Sequence, residues 1–151
     1  IDDDGAALLN FENGASGVLF ATQVAAGEEN NVRLRVYGEK GGIEWKQEDA
    51  NTLLVKWLDK PAEVWRAGTA YLSAVAAHNC RTPAGHPEGY LEAFANLYKN
   101  FTLALSARLD NTTAKDVVEF PSVAEGIRGM AFIENVVRSN DSNEKWVNYT
   151  I

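Results

Sequence analysis

Between Asn31 and Trp45 the chain reads NVRLRVYGEKGGIEW, and no other stretch limits the fold so strongly. Val32, Leu34 and Val36 alternate with Arg33, Arg35 and Tyr37, the period-two pattern of a strand with one buried face. Gly38 and the pair Gly41-Gly42 can take the backbone angles of a tight reversal. Ile43 and Trp45 then resume the alternation against Glu44 and Lys46. The expectation is a β-hairpin in the middle of a sheet. Its apolar face has to be covered, and helical patterns occur only later in the chain.

Strand signals flank the hairpin on both sides. Gly5 to Phe11 and Gly17 to Ala25 bracket Glu12-Asn13-Gly14, a hairpin turn. Asn51 to Leu58 alternates again, and Ala62 to Arg66, after Pro61, predicts a short edge strand. The texture changes after Gly68. Tyr71 to His78 suits two helical turns, followed by a Pro/Gly loop. His86-Pro87-Glu88 is expected to open a long helix with Pro87 at its first position, and Leu91, Phe94, Tyr98, Phe101 and Leu105 form one apolar stripe ending near Leu109. Ser122-Val123-Ala124-Glu125 is a capping box for a second helix, with Ile127, Met130, Ile133 and Val137 as its buried stripe. Trp146 to Ile151 predicts a closing strand. Strands followed by helices give an α+β fold: an open, mostly antiparallel sheet with helices packed on one face.

Length and charge bound what such a fold can do. At 151 residues the chain is read as a single domain, 1–151, able to bury a core. A net charge of −7 disfavours generic binding to nucleic acid or an anionic membrane. No apolar run reaches the length of a membrane span. The single cysteine, Cys80, cannot form an internal disulfide, so the chain reads as cytoplasmic or redox-indifferent, and a cytoplasmic location is expected. Sequons at Asn100, Asn111, Asn140 and Asn148 are read as chance in an Asn-rich chain. Ile1 is not an initiator methionine, so the chain reads as a piece of a longer protein.

Few residues offer chemistry. His78, Cys80 and His86 fall within nine residues but match no familiar zinc spacing, so no metal site is expected. His86 is either a residue that steadies the loop or a substrate contact. Arg33, Arg35 and Tyr37 share a strand face. They could grip an anion, line a solvated face paired with carboxylates on the next strand, or form a subunit interface; the last two together are preferred. Gly38-Glu39-Lys40-Gly41-Gly42 lacks a Walker ending and a following helix, and no Gly-x-Gly-x-x-Gly occurs at a strand-to-helix junction. No cofactor site is therefore expected in this chain.

Taken together, Phe11-Glu12-Asn13-Gly14-Ala15-Ser16-Gly17 with Thr22-Gln23-Val24-Ala25, the run Leu34 to Gly42 into Glu44-Trp45, His86-Pro87-Glu88-Gly89-Tyr90 with Ala93-Phe94 and Leu97-Tyr98, Phe120-Pro121 and Trp146-Val147 resemble one family. It is the Gfo/Idh/MocA oxidoreductases. The resemblance covers nearly the whole chain and keeps its order. It implies a C-terminal domain of the glyceraldehyde-3-phosphate-dehydrogenase-like type, for substrate binding and oligomerisation. It also implies an N-terminal Rossmann domain, absent from this chain, that binds NAD or NADP. The family's catalytic lysine and its Asp and His pair belong to segments before Ile1, so neither Lys40 nor His86 is equated with them and no catalytic residue is transferred. The implied substrate is a sugar or cyclitol. His86 and Tyr90, and more weakly Gln23, are the substrate-binding candidates; Arg33, Arg35 and Tyr37 are the interface candidates for a homo-oligomer formed through the sheet face. Two competing readings remain at this point: a stand-alone, non-enzymatic module that binds a small molecule or protein, and a hydrolase using unidentified carboxylates.

Overall fold

The structure, a computed structural model, describes residues 3–151; Ile1 and Asp2, the latter the first of the acidic run Asp2-Asp3-Asp4, lie outside the described residues. Six strands precede three helices: β1 (Asp4–Asn10), β2 (Ser16–Thr22), β3 (Arg33–Tyr37), β4 (Gly41–Lys46), β5 (Thr52–Trp57), β6 (Glu63–Arg66), α1 (Ala74–Asn79), α2 (Tyr90–Leu109) and α3 (Val123–Asp141). Every strand pairing is antiparallel, so the chain is α+β as its order of patterns implies. It divides into two compact units: residues up to Glu29 with Ser122–Ile151, and Asn30–Pro121.

In the first unit β1 and β2 form a hairpin with Asp4 opposite Thr22 and Asn10 opposite Ser16. Its turn is made by local chemistry: Asn13 Oδ1 accepts from the Ala15 N–H at 3.1 Å, and Gly14 takes φ +86°, a conformation costly for other residues. Helix α3 starts where the capping box predicts. The Ser122 hydroxyl accepts from Glu125 N–H at 3.3 Å and the Glu125 carboxylate accepts from Ser122 N–H at 2.5 Å. The expected closing strand is absent, since 146–151 joins no ladder. Asn135 on α3 takes over the ladder's role: its Oδ1 accepts from Thr150 N–H at 3.1 Å and its Nδ2 donates to Thr150 C=O at 2.8 Å. Arg138 Nη1 donates to Thr150 Oγ1 at 3.0 Å, and Tyr149 donates to Arg128 C=O at 3.0 Å. A side-chain amide that satisfies the backbone removes the need for a partner strand.

The second unit carries a four-stranded sheet in the order β3-β4-β5-β6. The central hairpin is there, with Leu34 opposite Trp45 and Tyr37 opposite Gly42. Gly41 is required by proximity: a Cβ there would lie 2.1 Å from the Lys56 carbonyl oxygen on β5. Alternation places Leu34, Val36, Ile43, Trp45, Leu53, Val55, Trp57 and Trp65 on one face. That face is not the closed core expected. Only Val55 is buried, at 7% exposure, whereas Leu34 stands at 59%. The α3 stripe of Ile127, Met130, Ile133 and Val137 is likewise exposed, and so is the α2 stripe from Leu91 to Leu105. Two units this small have more apolar surface than they can cover from their own residues. Among the described residues, no helix is long and apolar enough to cross a membrane.

Candidate functional site

Helix α2 buries polar side chains. Asn96 and Asn100, one turn apart, are its buried residues, and Asn100 is 2% exposed. A buried amide has to be satisfied, and this one is. Asn100 Nδ2 donates to Glu119 C=O at 2.8 Å and to Asn79 Oδ1 at 3.2 Å, while its Oδ1 meets His78 Nε2 at 2.8 Å. Because Oδ1 can only accept, His78 carries its proton on Nε2. The last carbonyls of α1, which have no partner within that helix, find donors on α2. Asn96 Nδ2 reaches Asn79 C=O at 2.5 Å, and Lys99 Nζ reaches His78 C=O at 3.2 Å. Arg81 Nε donates to Asn96 Oδ1 at 2.9 Å. Helices α1 and α2 are therefore joined by hydrogen bonds at their contact.

This polar seam holds the loop between them. The Glu88 carboxylate accepts from the N–H groups of Arg81 (2.7 Å) and Thr82 (2.5 Å) and from the Thr82 hydroxyl (2.8 Å). Burial pushes its pKa upward, but the Thr82 and Arg81 hydrogen bonds outweigh burial and hold it below the usual carboxylate range. Asn51, at the β4–β5 turn, clamps the Glu88 backbone from both sides, donating to its C=O at 2.7 Å and accepting from its N–H at 3.2 Å. With Glu88 used in this way, α2 starts later than expected. Pro87 is outside it, Gly89 is the N-cap, and the Glu92 carboxylate accepts from Gly89 N–H at 2.9 Å. Gly68 seals the loop from another side. It has φ +74°, and a Cβ there would come within 2.8 Å of Ala84 N.

On this braced loop His86 is exposed. Its Nδ1 lies 3.3 Å from the Pro83 carbonyl, an acceptor only, so the neutral ring has Nε2 as the nitrogen open to an incoming hydroxyl. Tyr90 is exposed too, its ring tilted on Phe94 with centroids 4.7 Å apart. His86 thus lies in the loop four residues before Tyr90, the first residue of α2. Gln23 belongs to the other unit, just past β2, where its N–H donates to Asp3 C=O at 2.7 Å. No motif in the sequence marks Asn51, Arg81, Asn96 or Asn100 as part of this network, and Glu88 reads there only as a helix-opening residue. Two asparagines four apart in mid-helix are poor helix formers, and that spacing was the available signal. His78 turns to Asn100 and His86 to Pro83, and among the described residues no three His, Cys, Asp or Glu side chains are grouped to hold a metal.

Arg33, Arg35 and Tyr37 do share one exposed face of β3. The carboxylate pairing expected of them goes to lysines instead. Arg35 lies opposite Glu44, but Glu44 pairs with Lys56 at 2.6 Å and Lys46 at 3.6 Å. The hydrogen bond from Lys56 is the main reason that the Glu44 pKa is lowered. Among the described residues the two arginines form no ion pair. The face therefore carries five cations, Arg33, Arg35, Lys46, Lys56 and Arg66, against the one carboxylate of Glu44.

Comparison with known proteins places this geometry. A profile of the oxidoreductase family's C-terminal α/β domain, the Gfo/Idh/MocA C-terminal domain, matches residues 2–149. An uncharacterised oxidoreductase of Bacillus subtilis, YfiI, is 34% identical over 151 residues, which are 99% of this chain and 38% of that protein. An oxidoreductase from Sinorhizobium meliloti superposes with TM-score 0.91 at 39% identity, over 98% of this chain and 42% of that one. An inositol dehydrogenase homologue from Azotobacter vinelandii, solved with NADH and myo-inositol, superposes with TM-score 0.87 at 33% identity, over 98% and 39% of the two chains. This chain thus spans well under half the length of each of these relatives.

Proposed function

The chain belongs to the Gfo/Idh/MocA oxidoreductase family as its C-terminal α/β domain, and on that premise we propose that it is the substrate-binding and oligomerisation domain of an NAD(P)-dependent enzyme acting on a sugar or cyclitol hydroxyl. The observation that carries this reading is the solved homologue holding NADH and myo-inositol, which matches this chain over 98% of its length. The two units are read as working together as one substrate domain, in a cytoplasmic protein.

The residues present do not fit a dinucleotide. The described strands pair only antiparallel, and no glycine-rich strand-to-helix turn is available to receive a pyrophosphate. The cofactor and the catalytic residues are assigned to a Rossmann domain in the rest of the protein. The nicotinamide supplies a hydride acceptor or donor there. This chain's part is to bind and orient. His86 Nε2, on the loop whose backbone is fixed by Glu88 and Asn51, is placed to accept a hydrogen bond from a ring hydroxyl, and the Tyr90 phenol, at the first position of α2, to donate or accept one. Gln23 is a weaker candidate for the same task.

Calorimetric titration with NAD and NADP tests the division of labour. Binding is expected to the protein extended upstream and not to residues 1–151 alone; binding to the short chain overturns the assignment. In the extended enzyme His86→Ala and Tyr90→Phe are expected to raise KM for the polyol substrate about tenfold each, with a smaller effect on kcat. An unchanged KM in both variants removes the two residues from the site.

A further inference from the structure

At the edge of the second unit's sheet, β6 and the turn after it form an aromatic corner. Trp65 and Tyr71 meet edge to face, centroids 5.7 Å apart and planes at 61°, and both rings are exposed. With Glu63 and Val64 they line a shallow hollow of about 450 Å³ that is largely open to solvent, so a ligand there would lie against the rings rather than be enclosed. The corner is pinned to the sheet edge. Tyr71 Oη accepts from Arg66 N–H at 2.7 Å, and Thr69 donates to Arg66 C=O at 2.9 Å.

The polar wall has an unusual balance. Glu63 Oε1 accepts from Lys60 Nζ at 2.9 Å and Oε2 accepts from Trp65 Nε1 at 2.9 Å. Lys60 also lies over the Trp57 ring, 4.0 Å from its centroid. The buried Trp57 Nε1–H acts on the Glu63 carboxylate as well, without reaching any acceptor at hydrogen-bonding geometry. The cluster therefore has more donors than acceptors, and its carboxylate is already neutralised by Lys60. A cation would find no net negative charge beside the rings. A purely apolar ligand would strip water from the ion pair and return nothing. A neutral ring with adjacent hydroxyls suits both walls: one C–H face lies on an aromatic ring, and the hydroxyls bridge carboxylate and ammonium.

We propose that Trp65, Tyr71, Glu63 and Lys60 form a second ligand site, separate from His86 and Tyr90, for a neutral polyhydroxylated ring, either a pyranose or a cyclitol. The site does not rest on the assignment of His86 and Tyr90.

The test uses the full-length protein labelled with 5-fluorotryptophan, with the Trp65 fluorine signal identified by its loss in Trp65→Phe. Methyl β-glucopyranoside and myo-inositol, added separately, distinguish the two ring types, and choline serves as the cationic control. The expected result is a saturable shift of the Trp65 signal with at least one of the two polyols and none with choline. Lys60→Ala, at an exposed position, is expected to weaken the apparent affinity at least about fivefold. Three results each overturn the proposal: a Trp65 signal unmoved by both polyols, a shift with choline instead, or a shift that vanishes in His86→Ala, which would show it to be relayed from the other site. A Trp65 signal insensitive to exchange of H2O for D2O in the full-length protein also overturns it, because the hollow would then be covered.

Discussion

Asn100 shows how much one side chain can hold. Its amide serves His78, Asn79 and the Glu119 carbonyl at once, so truncation removes three part-buried hydrogen bonds together. Asn100→Ala is expected to cost about 3 kcal/mol in urea unfolding, and Asn100→Asp to recover little because it loses both donors. A change below 1 kcal/mol, by the usual scale for surface positions, would mean that water replaces the amide and the seam is not structural. Glu88 makes a pH prediction. Its folded pKa lies below the unfolded carboxylate value of 4.5, so in the interval between them the unfolded chain binds more protons. The stability it contributes is present above the unfolded value and is lost as pH falls through the folded one. Glu88→Gln should flatten the acid limb of a stability-versus-pH curve recorded by circular dichroism, and an unaltered limb would assign that limb to other carboxylates. Neither role is legible in the sequence, where Glu88 reads as a helix-opening residue and Asn100 as a chance sequon. An asparagine or glutamate on a helix or loop is solvated by default, and only the approach of α1 to α2 turns it inward.

At the scale of elements the sequence was most legible where the signal is local. The Asn13-Gly14 turn, the β3–β4 hairpin and the Ser122–Glu125 cap all form from residues within a few positions of each other. Ser122→Ala is expected to cost about 1 kcal/mol and to fray the first turn of α3, seen as faster amide exchange at Val123 to Gly126. Unchanged exchange there would mean that the Glu125 carboxylate alone suffices. Structure departs from the local signal where a longer-range partner competes. Proline suits a first helical position, yet Pro87 lies outside α2, because Glu88 finds three donors in the loop and Asn51 grips its backbone. The strand expected at 146–151 is held along α3 by Asn135 instead.

For the whole molecule, the open apolar faces and the cationic sheet face make separate predictions about assembly. Residues 1–151 alone should self-associate through apolar surface as concentration rises into the micromolar range, and a strictly monomeric species in ultracentrifugation would count against that. In the full-length protein the face bearing Arg33, Arg35 and Tyr37 is proposed to meet its own copy about a two-fold axis, which brings like charges together. Raising the salt should then tighten association. Replacing both arginines with alanine should tighten it at low salt only, and Tyr37→Ala should weaken it at every salt concentration. Association indifferent to all three residues would move the interface elsewhere.

Local signals in the sequence carry the six strands, the helices and the hairpin turns, because hydrophobic period, glycine placement and capping act over a few residues, whereas the strand predicted at 146–151 does not form. Tertiary structure alone decided which faces stay open and which polar side chains go inside. Burial depends on what another part of the chain brings up against a residue, and periodicity carries no information about that. Leu34 and Asn100 make the contrast plain: the leucine that its strand pattern buries is open to water, and the asparagine that its helix position exposes is enclosed by partners from α1 and the 119–120 segment.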